Sequence, residues 1–179
     1  LGFETFGRTI LEWNEQPGGY RALVERYGIP TGAAYCGKTW IEPATAAQEM
    51  AAARREAEAL CAIGGQTLVL AGGRRPEGGY TAAQFQRLAD ALNEIGAYCR
   101  ALGLATGLHP HTGTAVETRA DIDTILGLLD PALVGFAPDT GQIAKGGSDI
   151  VEVMRTYQPR ITHVHLKDWG GAYERDAGG

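Results

Sequence analysis

The sequence predicts an α/β protein, a segment of a (β/α)8 TIM barrel about six β/α units long. Three observations predict it. Apolar or Gly-rich strand candidates alternate with helical patterns, and parallel strands need a helical crossover between them. Successive strands start about 30 residues apart, close to the spacing of a barrel that fits eight units into ~250 residues. Polar residues end at least four strands: Glu4, His109 with His111, Asp139, and His163 with His165. A doubly wound open sheet would gather its chemistry at one switch point, whereas a barrel spreads it over a ring of strand ends.

In chain order, the strand candidates are Leu1 to Phe6, Thr31 to Cys36, Thr67 to Ala71, Ala105 to His109, Val134 to Pro138 and Ile161 to Leu166. Helices are expected at 19–27, 45–63, 82–102, 119–129 and 148–157. Thr45-Ala-Ala-Gln48 and Thr81-Ala-Ala-Gln84 have the form of capping boxes, and Thr118-Arg-Ala-Asp121 puts an acid in a first turn. Gly28, Gly64 with Gly65, and Gly103 mark helix ends, where a left-handed residue is favoured. The helix at 45–63 is rich in alanine, which suits close packing on a sheet. Six units against eight imply strands two to seven of a barrel in one domain, 1–179, lacking the first strand and the last. Such an open segment exposes two sheet edges and is expected to aggregate or to pair with itself as a homo-oligomer.

Sixteen basic residues against 21 acidic ones, with no basic run, exclude a nucleic-acid footprint. No apolar stretch approaches a membrane span and nothing reads as a signal peptide, so a cytoplasmic location is expected. Cys36, Cys61 and Cys99 are widely spaced in apolar contexts and read as buried reduced thiols. The chain starts at Leu1, already in a strand pattern, and reads as a fragment.

All four histidines lie in two His-x-His pairs, His109-Pro110-His111 and His163-Val164-His165. Residues two apart on a strand share a face, so each pair presents two imidazoles at one strand tip. Between them, Pro138-Asp139-Thr140-Gly141 ends another strand with a carboxylate. Imidazole and carboxylate together suit divalent metals, and three consecutive strand ends therefore read as one metal-binding mouth. The competing account of Asp139 is a helix N-cap. Glu4 reads as a surface carboxylate, with a place lining the same mouth as the alternative. Gly72 to Gly79, with Arg74 and Arg75, reads as a flexible exposed loop. Trp13 reads as helix packing, while Trp40 and Trp169 follow strand ends and suit stacking on a sugar.

The stretches His109-Pro-His-Thr-Gly-Thr-Ala-Val-Glu-Thr118, Val134-Gly-Phe-Ala-Pro-Asp-Thr-Gly-Gln142 and Ile161-Thr-His-Val-His-Leu-Lys-Asp168 together resemble the xylose-isomerase-like barrel family, in its branch of sugar phosphate isomerases/epimerases and inosose dehydratases. The resemblance implies one divalent metal (Mn, Co, Mg or Zn). It also implies a carboxylate or equivalent on strand five, Asp on strand six, His on strand seven and Glu on strand eight. On this chain Asp139 and His165 take the middle places, the strand-five ligand is His111, His109 or Glu117, and the strand-eight Glu has no counterpart. Gln142 stands where the family has His; it can hydrogen-bond a substrate hydroxyl but carries no proton.

The implied chemistry is proton removal beside a carbonyl, through a metal-bound enediolate, by a sugar (phosphate) isomerase or epimerase acting on a small carbohydrate or cyclitol. Inosose-type dehydration is the alternative on the same scaffold, ahead of endonuclease IV-like repair or a non-catalytic sugar-binding barrel. Glu117, His163, Lys167 and His109 are the candidate catalytic groups. Gln142, Trp40 and Trp169 are the candidates for substrate contact, and Asp139, His165 and His111 for metal.

Overall fold

The computed structural model describes residues 2–171. The elements run β1 (Phe3–Phe6), α1 (Gly7–Asn14), α2 (Gly19–Tyr27), β2 (Thr31–Gly37), α3 (Ala46–Ala62), β3 (Thr67–Ala71), α4 (Ala82–Ala101), β4 (Ala105–Leu108), α5 (Arg119–Leu128), β5 (Gly135–Phe136), α6 (Thr140–Lys145) and α7 (Ile150–Tyr157), with a 3-10 turn at Gln158–Arg160. Among the described residues the strands form one parallel sheet in sequential order, β1-β2-β3-β4-β5. Sequential parallel order with a helix in each crossover is the arrangement of a barrel segment.

Strand alternation gives the sheet two different faces. Ala34, Cys36, Leu68, Leu70, Leu108 and Phe136 point outward and join the helices in the main core. Ala33, Val69 and Ala137 form a small cluster on the inner side, against Tyr35. Two of the predicted caps form: Thr81 with Gln84, and Thr118 with Asp121, each exchange bonds reciprocally between side chain and backbone. Thr45 makes no side-chain cap bond; its backbone bonds back to Glu42, and its own extended geometry is lost (φ −123°, ψ −16°).

Three expectations change. The helices α1 and α6 lie outside the expected helical spans, and both are short, eight and six residues, below the length at which periodicity shows. The sixth strand exists only as two parallel bridges to the chain after β4, Phe136 with Ile161 and Asp139 with His165. The register slips by one residue between those bridges, as at a bulge, and no continuous ladder forms. The 72–79 loop is pinned. Arg74 bridges to Thr114, and the Arg75 guanidinium donates to Asp121 at 2.6 Å. Cys36 and Cys99 are buried, Cys61 is half-buried, and all three are free thiols. Among the described residues no helix is long and apolar enough to cross a membrane.

Candidate metal centre and active site

The inner face of the sheet opens on a cavity of 1290 Å³, bordered by Glu4, Tyr35, His109, His111, His163 and His165. Two inner glycines make the sheet thin enough for the sixth segment to lie against it. A Cβ on Gly135 would stand 2.4 Å from Thr162 Cγ2, and one on Gly107 would stand 2.6 Å from Thr162 Oγ1. Thr162 uses that space to donate from its hydroxyl to the Thr106 carbonyl at 3.0 Å. This seats the segment that carries His163 and His165.

His109 continues β4, its backbone N–H bonding to Leu70 at 2.7 Å, and its ring is 2% exposed. Its Nδ1 lies 3.1 Å from the Ala137 carbonyl, so Nδ1 carries the proton and donates. Nε2 is left as a bare lone pair. Burial, with the neighbouring His165 adding to it, pushes the His109 pKa down to about 4, so the ring is neutral near pH 7.

Asp139 is fully buried and divides its two oxygens. Oδ1 accepts from the Gln142 backbone N–H at 2.9 Å and caps α6. Oδ2 accepts from the Lys167 ammonium at 2.6 Å and faces His165 Nδ1 at 3.5 Å. The helix cap and the contacts with Lys167 and His165 thus fall to different atoms of one carboxylate. Burial alone would raise its pKa; the bonds from Lys167 and Gln142 outweigh it and hold the group below the usual carboxylate value.

Glu4 takes the second of its two expected places, at the mouth and not on the outer surface. Its Oε2 accepts from His163 Nε2 and from His165 Nε2, each at 2.8 Å. Burial works to raise its pKa, but those two bonds bring it down to about 2. The same bond from Glu4 raises the His165 pKa against the opposing effect of burial. Sequence separation hid this contact: Glu4 lies 159 residues from His163, and the segments meet only across the cavity.

The candidate ligand atoms lie close enough together to share one divalent cation. With Nε2–H donated to Glu4, a neutral His165 turns an unprotonated Nδ1 toward a carboxylate oxygen 3.5 Å away. Two acceptors face each other, an arrangement that a cation between them resolves. Ligand atoms of His109, Asp139 and His165 lie within 4.8 Å of one another, as do those of Glu4, His163 and His165.

The remaining expected residues are placed as follows. His111 borders the cavity, but its Nδ1 donates to the Thr112 carbonyl at 2.8 Å and it joins neither three-residue group. The strand-five position in the cluster falls to His109 instead. The Glu117 carboxylate accepts from the Gly113 backbone N–H at 2.9 Å and braces the loop after β4, away from the cluster. Gln142 Oε1 accepts from the Thr112 hydroxyl at 2.6 Å. Trp169 lies under the Lys145 ammonium at 5.6 Å. Trp40 corrects the stacking expectation: it is 3% exposed, with its indole N–H donating to the Ala71 carbonyl at 2.8 Å. A left-handed backbone at Trp40 (φ 65°) turns the ring inward. Trp13, expected to pack, is exposed at 43%, because α1 buries Ile10 instead.

A family model described as xylose isomerase-like TIM barrel matches residues 1–177. An inosose dehydratase from Geobacillus kaustophilus is 32% identical over 169 residues, covering 87% of this chain and 55% of that protein. The chain thus spans about half the length of this curated relative. The crystal structure of 3-keto-D-glucoside 4-epimerase from E. coli superposes with a TM-score of 0.76 at 18% identity, over 93% of this chain and 68% of that one. A protein crystallised with a bound zinc atom superposes with a TM-score of 0.74 at 15% identity, over 95% of this chain and 65% of that one.

Proposed function

The chain belongs to the xylose isomerase-like TIM-barrel family, and on that premise we propose that it carries the catalytic mouth of a divalent-metal-dependent enzyme. Its reaction is removal of a proton beside the carbonyl of a small carbohydrate or cyclitol, with inosose-type dehydration as the outcome. The observation that carries this reading is the convergence of His109, Asp139 and His165 on one point. The curated inosose dehydratase at 32% identity puts dehydration ahead of isomerisation and epimerisation, the reverse of the order the motifs suggested.

His109 through Nε2, Asp139 through Oδ2 and His165 through Nδ1 would hold the cation. When bound, it would polarise a carbonyl and a neighbouring hydroxyl together, which eases loss of the proton between them. Zinc, cobalt and manganese all suit two imidazoles and a carboxylate, and a structural neighbour was crystallised with zinc.

His163 is the base. Its Nε2–H is held by Glu4, so Nδ1 offers the lone pair. Glu4 stabilises the imidazolium that forms when that atom takes a proton, as a carboxylate does beneath a catalytic imidazole. The Lys167 ammonium at Asp139 would supply the proton to a departing hydroxyl once Asp139 served as a ligand. His111, at the cavity border, contacts substrate hydroxyls.

The test is turnover of a cyclitol ketone by the metal-loaded protein, followed by enone absorbance and by deuterium uptake from D2O. Enone is expected. Asp139→Asn is expected to cut turnover by on the order of 100-fold or more. Deuterium uptake with sugar product and no enone would move the assignment to isomerase or epimerase. Turnover indifferent to a chelator or to Asp139→Asn would remove the metal from the reaction.

A further inference from the structure

The cluster has a second centre, built on the residues that the proposed reaction uses as base and support. We propose that Glu4, His163 and His165 form an alternative position for a divalent cation, exclusive of the one on His109, Asp139 and His165, so that one cation per chain occupies either place.

The argument rests on the two ring nitrogens of His165. Nε2 lies 2.8 Å from Glu4 Oε2 and Nδ1 lies 3.5 Å from Asp139 Oδ2. A neutral imidazole has one lone pair and one N–H. A cation on Nδ1 requires the proton on Nε2, where Glu4 accepts it. A cation on Nε2 requires the proton on Nδ1, where Asp139 accepts it. Each carboxylate is thus a direct ligand in one state and the hydrogen-bonded outer partner of the ligating imidazole in the other, the support that metal-bound histidines ordinarily have. Filling both places at once would strip His165 of both protons.

The second place is chemically complete. His163 Nε2 and His165 Nε2 both reach the same carboxylate oxygen at 2.8 Å, and all three ligand atoms lie within 4.8 Å of one another. Two imidazoles and one carboxylate, with open positions toward a large cavity, suit zinc, cobalt(II) or iron(II). The three side chains are 21–26% exposed, so the place is reached from the cavity without opening the core. If the proposed reaction holds, a cation here engages both His163 and its supporting Glu4, and the parked state is unproductive.

Cobalt(II) added to metal-free protein tests this, with stoichiometry from elemental analysis and geometry from visible absorbance. Wild type is expected to hold one equivalent. Asp139→Asn is expected to keep one equivalent with a changed spectrum, now on Glu4, His163 and His165. Glu4→Gln with His163→Gln is expected to keep one equivalent with the other spectrum. His165→Gln is expected to lose cobalt in both backgrounds. Thermal melts confirm that each variant folds; if His165→Gln does not, the triple change of Asp139, Glu4 and His163 replaces it, with the same expected loss. Two equivalents in wild type overturn the proposal, as does complete loss of cobalt in a folded Asp139→Asn protein. Neither readout depends on turnover, so failure of the cyclitol assay leaves this result standing.

Discussion

On one side of the parallel sheet Leu68, Leu70, Leu108 and Phe136 press into the helices, fully buried. On the other side stand Ala33, Val69, Ala137, Gly107 and Gly135, mostly small residues beneath a cavity lined by imidazoles and the Glu4 carboxylate. The outer face is large, apolar and fitted against neighbours on every side. The inner face is kept small near its floor so that charged groups can meet above it. Stability and chemistry therefore draw on different residues of the same strands, one residue apart.

The largest effect expected from this contrast is on the outer face. Phe136 is fully buried and meets the Tyr157 ring edge-on at 5.6 Å. Phe136→Ala is expected to cost about 4 kcal/mol of unfolding free energy in denaturant titration, with the geometry of the proposed metal ligands unchanged. A loss below about 1 kcal/mol would mean that the outer face does not carry the fold.

The inner face is expected to respond to pH instead. With a chelator present, the native pKa of His109 is about 4 against 6.5 for the ordinary value. The unfolded chain then binds a proton that the native state refuses. Its contribution is complete above pH 6.5 and is lost as pH falls toward 4, about 3 kcal/mol in all. His165 has the opposite sign: its raised pKa gives stability that is present at low pH and lost as pH rises through the native value. His109→Gln is expected to flatten the acid limb of a plot of melting temperature against pH. An unchanged limb would assign that limb to other groups.

The smallest effect sharpens the distinction at the floor of the cavity. Gly135→Ala places a Cβ 2.4 Å from Thr162 and 2.7 Å from the Arg160 carbonyl oxygen, whereas nothing lies within 4 Å of the same atom at Gly32. The first change is expected to cost about 2 kcal/mol and the second to stay within about 0.5 kcal/mol. Equal effects would show that the sixth segment does not rest on β5.

The outer face was the legible one. Strand runs, alternating helices and the Thr81 and Thr118 caps are local patterns, and, the sixth strand excepted, the elements they predict form within two residues of the expected ends. The ring of strand-end side chains was legible in part. His109, Asp139 and His165 meet because a parallel sheet brings successive strand tips together, which spacing alone reveals. Glu4 stayed ambiguous because its partners come from the far end of the chain, and nothing local distinguishes a strand-end glutamate that faces solvent from one that faces two imidazoles. Trp40 misled for a related reason: a tryptophan after a strand looks available until one left-handed residue folds it inward. His111 and Glu117 were as plausible as His109 until the loop after β4 took up their polar atoms.

The ammonium of Lys167 on Asp139 has a consequence for biogenesis. A fully enclosed carboxylate left without a positive neighbour would penalise the folded state by several kcal/mol, and a protein with such a centre would have to await its ion before it could mature. Here a tethered positive charge from the same chain stands in during that interval. On the proposed metal-dependent reading, ripening of the polypeptide would be uncoupled from trace-element supply, and uptake of the ion would be a late exchange in which one positive group leaves as another arrives.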